Sequence, residues 1–139
     1  KGRMDEAIAQ YKLVLQEEPT DAETQYSLGI ALAVKGSWDE AIPHYAETVR
    51  LSPTNAAARY NLGYALKVRG RLDEAETQLN QALQLNPAFP LAHYNLGCVL
   101  LEKGETNEAV IHLKEALKLK PDYEEAKRQL ETIGRKAGD

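Results

Sequence analysis

Cysteine is almost absent from this chain, since Cys98 is the only one among 139 residues. A single thiol excludes a disulfide within the chain and fits a reducing compartment. No signal-like segment is visible. The location is therefore unknown, and the cytoplasm is the default expectation.

The chain also lacks a strong excess of charge of one sign. Its net charge is −4, and positive and negative residues are interspersed along the whole sequence. Binding to nucleic acid without sequence preference needs clustered lysine and arginine, so no nucleic-acid partner is expected. No apolar run reaches the roughly 18 residues of a membrane helix, so no membrane partner is expected either.

Glycine and proline are few, but they recur at a fixed distance. The period of 34 residues relates Gly29, Gly63 and Gly97, then Gly2, Gly36, Gly70 and Gly104, then Pro19, Pro53, Pro87 and Pro121, and then Ala7, Ala41, Ala75 and Ala109. A period of this length indicates a solenoid of stacked repeats. Such a fold usually binds partners and does not catalyse reactions.

The apolar period of 3.6 residues and the breakers between apolar segments predict eight helices. They are expected near residues 4–18, 21–35, 38–51, 55–69, 72–85, 89–103, 106–119 and 122–136. Gly36, Gly70 and Gly104 suit the left-handed residue that follows a helix. Thr20, Ser37 and Asp122 are each followed three residues later by glutamate, which is the spacing of a capping box.

Small residues are expected where two helices of one repeat cross. Gly29, Gly63 and Gly97 fall on the first helix of each pair, and Ala41, Ala75 and Ala109 fall on the second. A mid-helix glycine costs about 1 kcal/mol relative to alanine, so close packing is the expected reason for its presence.

The spacing resembles the tetratricopeptide repeat. Leu28-Gly29, Leu32, Ala41, Tyr45 and Pro53 match that pattern, and the next two copies begin at Leu62-Gly63 and Leu96-Gly97. The tryptophan position of the family holds Gln25, Arg59 and His93 instead. The resemblance implies an all-α fold, a right-handed superhelical solenoid of antiparallel helix pairs with about three and a half repeats and a C-terminal capping helix.

The expected units follow the repeat. Residues 1–21 form the second helix of a truncated repeat, residues 22–55, 56–89 and 90–121 form three repeats, and residues 122–139 form the capping helix and tail. Because Lys1-Gly2 matches the turn inside a repeat, the chain is expected to be a fragment of a longer protein. The apolar side chains of Ile8, Tyr11, Val14 and Leu15 are expected to stay uncovered on helix 4–18 and to favour self-association.

The resemblance also implies a concave groove lined by the first helix of each repeat. The predicted ligand-binding residues of this groove are Tyr26, Ser27, Ile30, Tyr60, Asn61, Tyr64, Lys67, Tyr94, Asn95, Cys98 and Leu101. An asparagine amide both donates and accepts, so Asn61 and Asn95 suit the backbone of an extended peptide. They resemble the asparagine ladder in the repeat arm of O-linked N-acetylglucosamine transferase, although Ser27 replaces a third rung.

The groove residues allow two other interpretations besides the binding of peptide backbone. The tyrosines and asparagines equally suit a structural role, in which they tie adjacent helices together. The carboxylate clamp of chaperone-binding relatives fits poorly. Its cationic and amide positions fall on Tyr26, Ile30, Leu91 and Asn95, and only Asn61 matches.

No set of residues predicts catalysis, and no metal or cofactor is expected. His44 and His112 occupy equivalent places two repeats apart, roughly 20 Å by the usual helix spacing, which is too far for one metal ion. All three histidines are expected to be surface or packing residues. Cys98 has no predicted activating neighbour.

The sequence therefore predicts a protein-interaction module, not an enzyme, which binds a peptide or partner segment in its groove. Two alternatives stay open: a substrate-recruiting or regulatory arm of a larger enzyme such as a glycosyltransferase, and a self-assembling scaffold.

Overall fold

The computed structural model describes residues 2–139, and this part of the chain folds into eight α-helices. They are α1 (Gly2–Glu17), α2 (Ala22–Val34), α3 (Trp38–Leu51), α4 (Ala56–Val68), α5 (Leu72–Leu85), α6 (Pro90–Glu102), α7 (Thr106–Leu119) and α8 (Glu124–Gly138). The predicted all-α solenoid is confirmed. Each predicted helix is present, with ends that differ by at most two residues.

The glycine turns inside the repeats have the predicted left-handed conformation, with φ of 80° at Gly36, 75° at Gly70 and 81° at Gly104. In the first of them the Ser37 N–H donates to the Leu32 carbonyl at 2.9 Å, and the Gly36 N–H donates to the Ala33 carbonyl at 2.9 Å. This is the Schellman pattern, which satisfies carbonyls at the helix end. The same two bonds recur after α4 and α6, so all three repeats reverse direction identically.

Helices pair closely because glycine faces a buried side chain. A Cβ added to Gly63 would lie 2.8 Å from Leu79 Cγ and 3.3 Å from the carbonyl oxygen of Ala75. Gly29 faces the ring of Tyr45 in the same way, and Gly97 faces Leu113. The predicted close crossing is confirmed. Glycine permits an approach that alanine would block.

The predicted capping boxes are wrong. Asp21, not Thr20, precedes α2, and its carboxylate accepts the Glu23 N–H at 3.2 Å. Ser37 stands at the N-cap of α3 but makes no side-chain cap bond, and α8 begins after Tyr123. Cap geometry depends on where the preceding turn ends, which residue spacing alone does not fix.

Helix α1 is better covered than the sequence predicts. Ile8 is only 8% exposed and belongs to the main core, and Tyr11 and Leu15 pack partly buried against that core. The expectation of an uncovered stripe is therefore wrong for these three residues, because α2 covers them. Leu13 and Val14 remain open, at 54% and 41% exposure.

At the other end of the chain, Ala126 is buried, and Leu130 and Ile133 pack partly buried on the core cluster of the last repeat. Arg128 and Arg135 face solvent. Helix α8 therefore has an apolar inner stripe and a polar outer side, as the terminal helix of a solenoid requires.

Ion pairs link successive repeats. The basic residue that follows each of α2, α4 and α6 bonds an aspartate 30 positions earlier, near the start of the preceding second helix. The pairs are Lys35 with Asp5, Arg69 with Asp39 at 2.7 Å, and Lys103 with Asp73 at 2.9 Å.

None of the helices in residues 2–139 combines the length and apolar character needed to cross a membrane.

Candidate functional site

Helices α2, α4 and α6 carry all of the predicted groove residues, and the surface that bears these side chains is called the inner face below. Equivalent positions line up from one repeat to the next. Tyr26, Tyr60 and Tyr94 are all half-buried, and so are Ser27 and Asn61. Ile30 is 39% exposed. This face therefore offers a mixture of aromatic rings, amides and aliphatic groups.

The tyrosines and asparagines of the inner face bond each other across repeats. The Asn61 amide Nδ2 donates to the Tyr26 hydroxyl at 2.8 Å, which joins α4 to α2. The Asn95 amide Nδ2 donates to the Tyr60 hydroxyl at 3.0 Å, which joins α6 to α4. These two bonds hold the first helices of neighbouring repeats together. This is the structural role that the sequence left open as an alternative to ligand binding.

The two asparagines differ in what they leave for a ligand. Asn95 is 3% exposed, donates also to the Leu91 carbonyl, and accepts from Lys67 Nζ at 3.2 Å. Its hydrogen-bonding capacity is largely used. Asn61 is half-buried, and among residues 2–139 its Oδ1 has no hydrogen-bond partner. Asn61 therefore retains an open acceptor on the inner face, whereas Asn95 does not.

A cavity of about 360 Å³ opens on the inner face between α2 and α4. It is lined by Ile30, Ala33, Val34, Trp38, Tyr45, Tyr60, Asn61 and Tyr64. The Trp38 ring lies 5.7 Å from the Tyr64 ring, and Val34 is 68% exposed at the rim. Sequence reasoning missed Trp38, although it is the only tryptophan and begins α3 two residues after Gly36.

Lys67, Cys98 and Leu101 sit further along the same face. The Lys67 ammonium lies 5.5 Å from the centre of the Tyr64 ring, and it spans from α4 to Asn95 on α6. Cys98 is only 8% exposed, and burial raises the pKa of its thiol. A thiol with a raised pKa is a poor nucleophile at neutral pH, so Cys98 has the properties of a packing residue.

In this chain the residue at the family's tryptophan position has a polar side chain that links two helices, and we call this side chain the strut. The strut donates to the carbonyl of the repeat proline six residues earlier and contacts a residue 19 positions later. The carbonyl bonds run from Gln25 to Pro19 at 3.0 Å, from Arg59 to Pro53 at 2.9 Å, and from His93 to Pro87 at 2.9 Å. Three different side chains thus make equivalent bonds. The residue types at this position do not reveal this shared role.

His93 and His112 form a pair that the sequence did not predict. Their Nδ1 atoms are 3.1 Å apart, and their ring centres are 5.4 Å apart with the planes inclined by 28°. The rings therefore meet edge to edge. Because the Pro87 carbonyl only accepts, His93 Nε2 donates to it, and His93 Nδ1 then accepts from His112. Burial and the neighbouring His93 lower the pKa of His112.

The first histidine does not share this pair, since His44 Nδ1 lies 2.8 Å from Gln25 Oε1. Within residues 2–139 no group of three or more histidine, cysteine, aspartate or glutamate side chains is arranged to hold a metal ion. The inner face presents aromatic rings, aliphatic groups and the open amide acceptor of Asn61.

Comparison with known proteins places this geometry in a family. Models described as tetratricopeptide repeat match residues 1–56, 35–94 and 90–123. No curated protein matches the sequence.

Several solved structures are similar to the chain. A crystal structure of MamA protein is 33% identical with a TM-score of 0.88, and the match covers 91% of this chain and 69% of that one. Another structure of MamA is 30% identical with a TM-score of 0.86, covering 100% and 94%. The first repeat domain of Spaghetti (RPAP3), bound to the HSP90 peptide SRMEEVD, is 24% identical with a TM-score of 0.82, covering 85% and 94%. The chain belongs to the tetratricopeptide repeat family.

Proposed function

We propose that this chain binds an extended segment of a partner protein along the inner face of α2, α4 and α6. The observation that carries the proposal is the open cavity beside the free acceptor of Asn61. A pocket with apolar walls and a few directed polar groups is the usual form of a binding site. The peptide-bound repeat domain of similar fold supports this mode of binding but does not identify the ligand.

The chaperone tail is not the proposed ligand. Its carboxylate would need cationic side chains, but the corresponding positions hold Tyr26, Leu91 and Asn95, and the Asn95 amide is already bonded to Tyr60. Ile30 stands where the clamp has an asparagine. The proposal that the chain is an arm of a glycosyltransferase rests on Asn61 and Asn95, and only Asn61 keeps an open acceptor. We propose no catalytic role for the chain.

The test uses a pair of matched substitutions. Peptides are selected against the wild-type chain from a random library, and their affinities are measured by calorimetry. Ile30→Asp places a charge on the inner face, and Ile111→Asp places the same charge on α7, where Ile111 is 65% exposed. We expect Ile30→Asp to weaken binding by about ten-fold or more, which is about 1.4 kcal/mol. Ile111→Asp should change affinity less than about two-fold by the same conversion.

Equal effects of the two substitutions would contradict the proposal. So would a large effect of Ile111→Asp alone, because that result would place the ligand on the outer surface. Thermal melts of both variants serve as the control for folding.

A second proposed function is self-association through α1, for which Leu13 and Val14 provide exposed apolar surface. Exposed apolar patches tend to find a partner surface. Light scattering should show a dimer or larger species that Leu13→Asp reduces to a monomer. A monomeric wild-type chain at high concentration would contradict this function and leave peptide binding unaffected.

A further inference from the structure

The cavity between α2 and α4 is lined by Ala33, and a cavity of about 500 Å³ at the equivalent place after α6 is lined by Leu101. The equivalent positions of the next two repeats hold Lys67 and Leu101. Lys67 spans the corresponding space between α4 and α6, since its ammonium lies over the Tyr64 ring and reaches Asn95 Oδ1 at 3.2 Å. Ala33 has no side chain beyond Cβ, so the space between α2 and α4 stays open to a ligand.

The walls of the cavity are uncharged. Its eight lining residues are aliphatic or aromatic apart from the Asn61 amide and the tyrosine hydroxyls. Burial raises the pKa of Tyr45 to about 12, and it raises the pKa of Tyr60 as well. Both phenols therefore stay neutral at physiological pH. A charged group placed here would lose part of its hydration without gaining a counter-ion, which is unfavourable.

We propose that this cavity accepts one large uncharged side chain, aliphatic or aromatic, from the partner's extended segment, and that Ala33 is the residue that determines this preference. The inference rests on the proposed function of the inner face. Ile30, Val34 and Trp38 supply apolar contact to the anchor side chain. Asn61 Oδ1 accepts a backbone N–H of the segment beside the anchor, which fixes the direction of the bound chain.

The cavity has room for one large side chain. A volume of about 360 Å³ lies near the lower end of the range of about 300–1,000 Å³ for ligand pockets. The tilted contacts of Tyr64 with Trp38 at 5.7 Å and with Tyr60 at 6.3 Å form one aromatic wall. Such a wall favours a flat or branched apolar group over a long polar one.

Trp38 supplies a built-in reporter, because it is the only tryptophan of the chain and lines the cavity. A peptide without tryptophan, selected as described above, is compared with versions in which its anchor leucine or phenylalanine is replaced by aspartate or lysine. Binding is followed by Trp38 fluorescence and confirmed by calorimetry. Each charged replacement is expected to weaken binding by about ten-fold or more, because the apolar burial is lost.

The matched variants come from the chain itself. Ala33→Lys reproduces the residue found at Lys67, and Ala46→Lys adds the same charge at an exposed site on α3, outside the cavity. Ala33→Lys should weaken the apolar-anchor peptide by about ten-fold, and the remaining binding should not distinguish the anchors. Ala46→Lys should leave both results unchanged. If Ala33→Lys lowers the melting temperature, Ala33→Gln, which has a long side chain without a charge, replaces it.

Consider a peptide whose binding is weakened by Ile30→Asp. The inference is overturned if the affinity of this peptide changes less than about two-fold both when its anchor residue is replaced by a charged one and when the chain carries Ala33→Lys. Peptide binding on the inner face would then stand without this pocket. It is also overturned if light scattering shows that Ala33→Lys converts a dimer to a monomer, because the occupant would then be a second copy. If Ile30→Asp does not weaken peptide binding, the proposed function itself is refuted.

Discussion

The close crossing of α4 and α5 makes a quantitative prediction about Gly63→Ala. Alanine is the better helix former, and this difference alone would stabilise the fold by about 0.5–1 kcal/mol. The new Cβ, however, would lie 2.8 Å from Leu79 Cγ, and Leu79 is fully buried at 0% exposure. The Ala75 carbonyl oxygen at 3.3 Å closes the other side. Leu79 therefore cannot move aside without displacing the core.

Overpacking of this kind typically costs about 1–3 kcal/mol, which exceeds the gain in helix propensity. We expect Gly63→Ala to lower the free energy of unfolding by about 1 kcal/mol, the difference between these terms. The matched control is Gly134→Ala in α8, where an added Cβ meets nothing within 4 Å. That variant should be stabilised by up to about 1 kcal/mol.

Urea denaturation of both variants measures the sign directly through the transition midpoint, provided that the slope of the transition is unchanged. Opposite signs for Gly63→Ala and Gly134→Ala support the packing argument. Stabilisation of both variants would refute it, because the helices of the second repeat would then have room for a methyl group.

Three further predictions concern stability. In the folded chain the pKa of His112 lies below its ordinary value near 6.5. As the pH falls below 6.5, His112 in the unfolded chain therefore binds a proton before His112 in the folded chain does. The free energy of unfolding should therefore fall as the pH drops from 6.5 towards the folded-state pKa, and His112→Gln should flatten this slope in urea titrations at several pH values. Asp39→Asn removes the exposed pair with Arg69 and should cost at most about 1 kcal/mol at low salt and little at 1 M salt, as measured by urea midpoints. Asn95→Ala should lower the melting temperature more than Asn61→Ala, since it removes bonds of a buried amide; equal melting temperatures would contradict the assigned roles.

The sequence predicts the helices well because their signals are local and repeated. Gly36 and its equivalents mark the turns, and Gly63 marks a helix crossing, so a period of 34 residues locates both. The family's tryptophan position was harder to interpret. The role of His93 depends on His112, which lies 19 residues later on another helix. The same separation joins Gln25 to His44 and Arg59 to Gln78, so a search for recurring 19-residue pairs would have found the strut.

The inner face was predicted less completely than the helices. Position along a helix predicts which side chains share one face, and Tyr60 and Asn61 both line the cavity. It does not show which polar groups bond each other, so Asn95 and Asn61 appeared equivalent in the sequence. The cavity is lined by Trp38, which comes from a second helix, as well as by Ala33. Both features require the packing of two helices to be known.

The most direct test of the central claim is a ¹H–¹⁵N NMR titration of the chain with a peptide selected as described above. The single Trp38 indole N–H gives one isolated signal on the inner face, and the backbone N–H of Ile111 reports on the outer face. Binding along the inner face predicts that the Trp38 signal shifts together with amides of α2, α4 and α6, while Ile111 does not move. Shifts confined to α3, α5 and α7, with the Trp38 signal unchanged, would contradict the account.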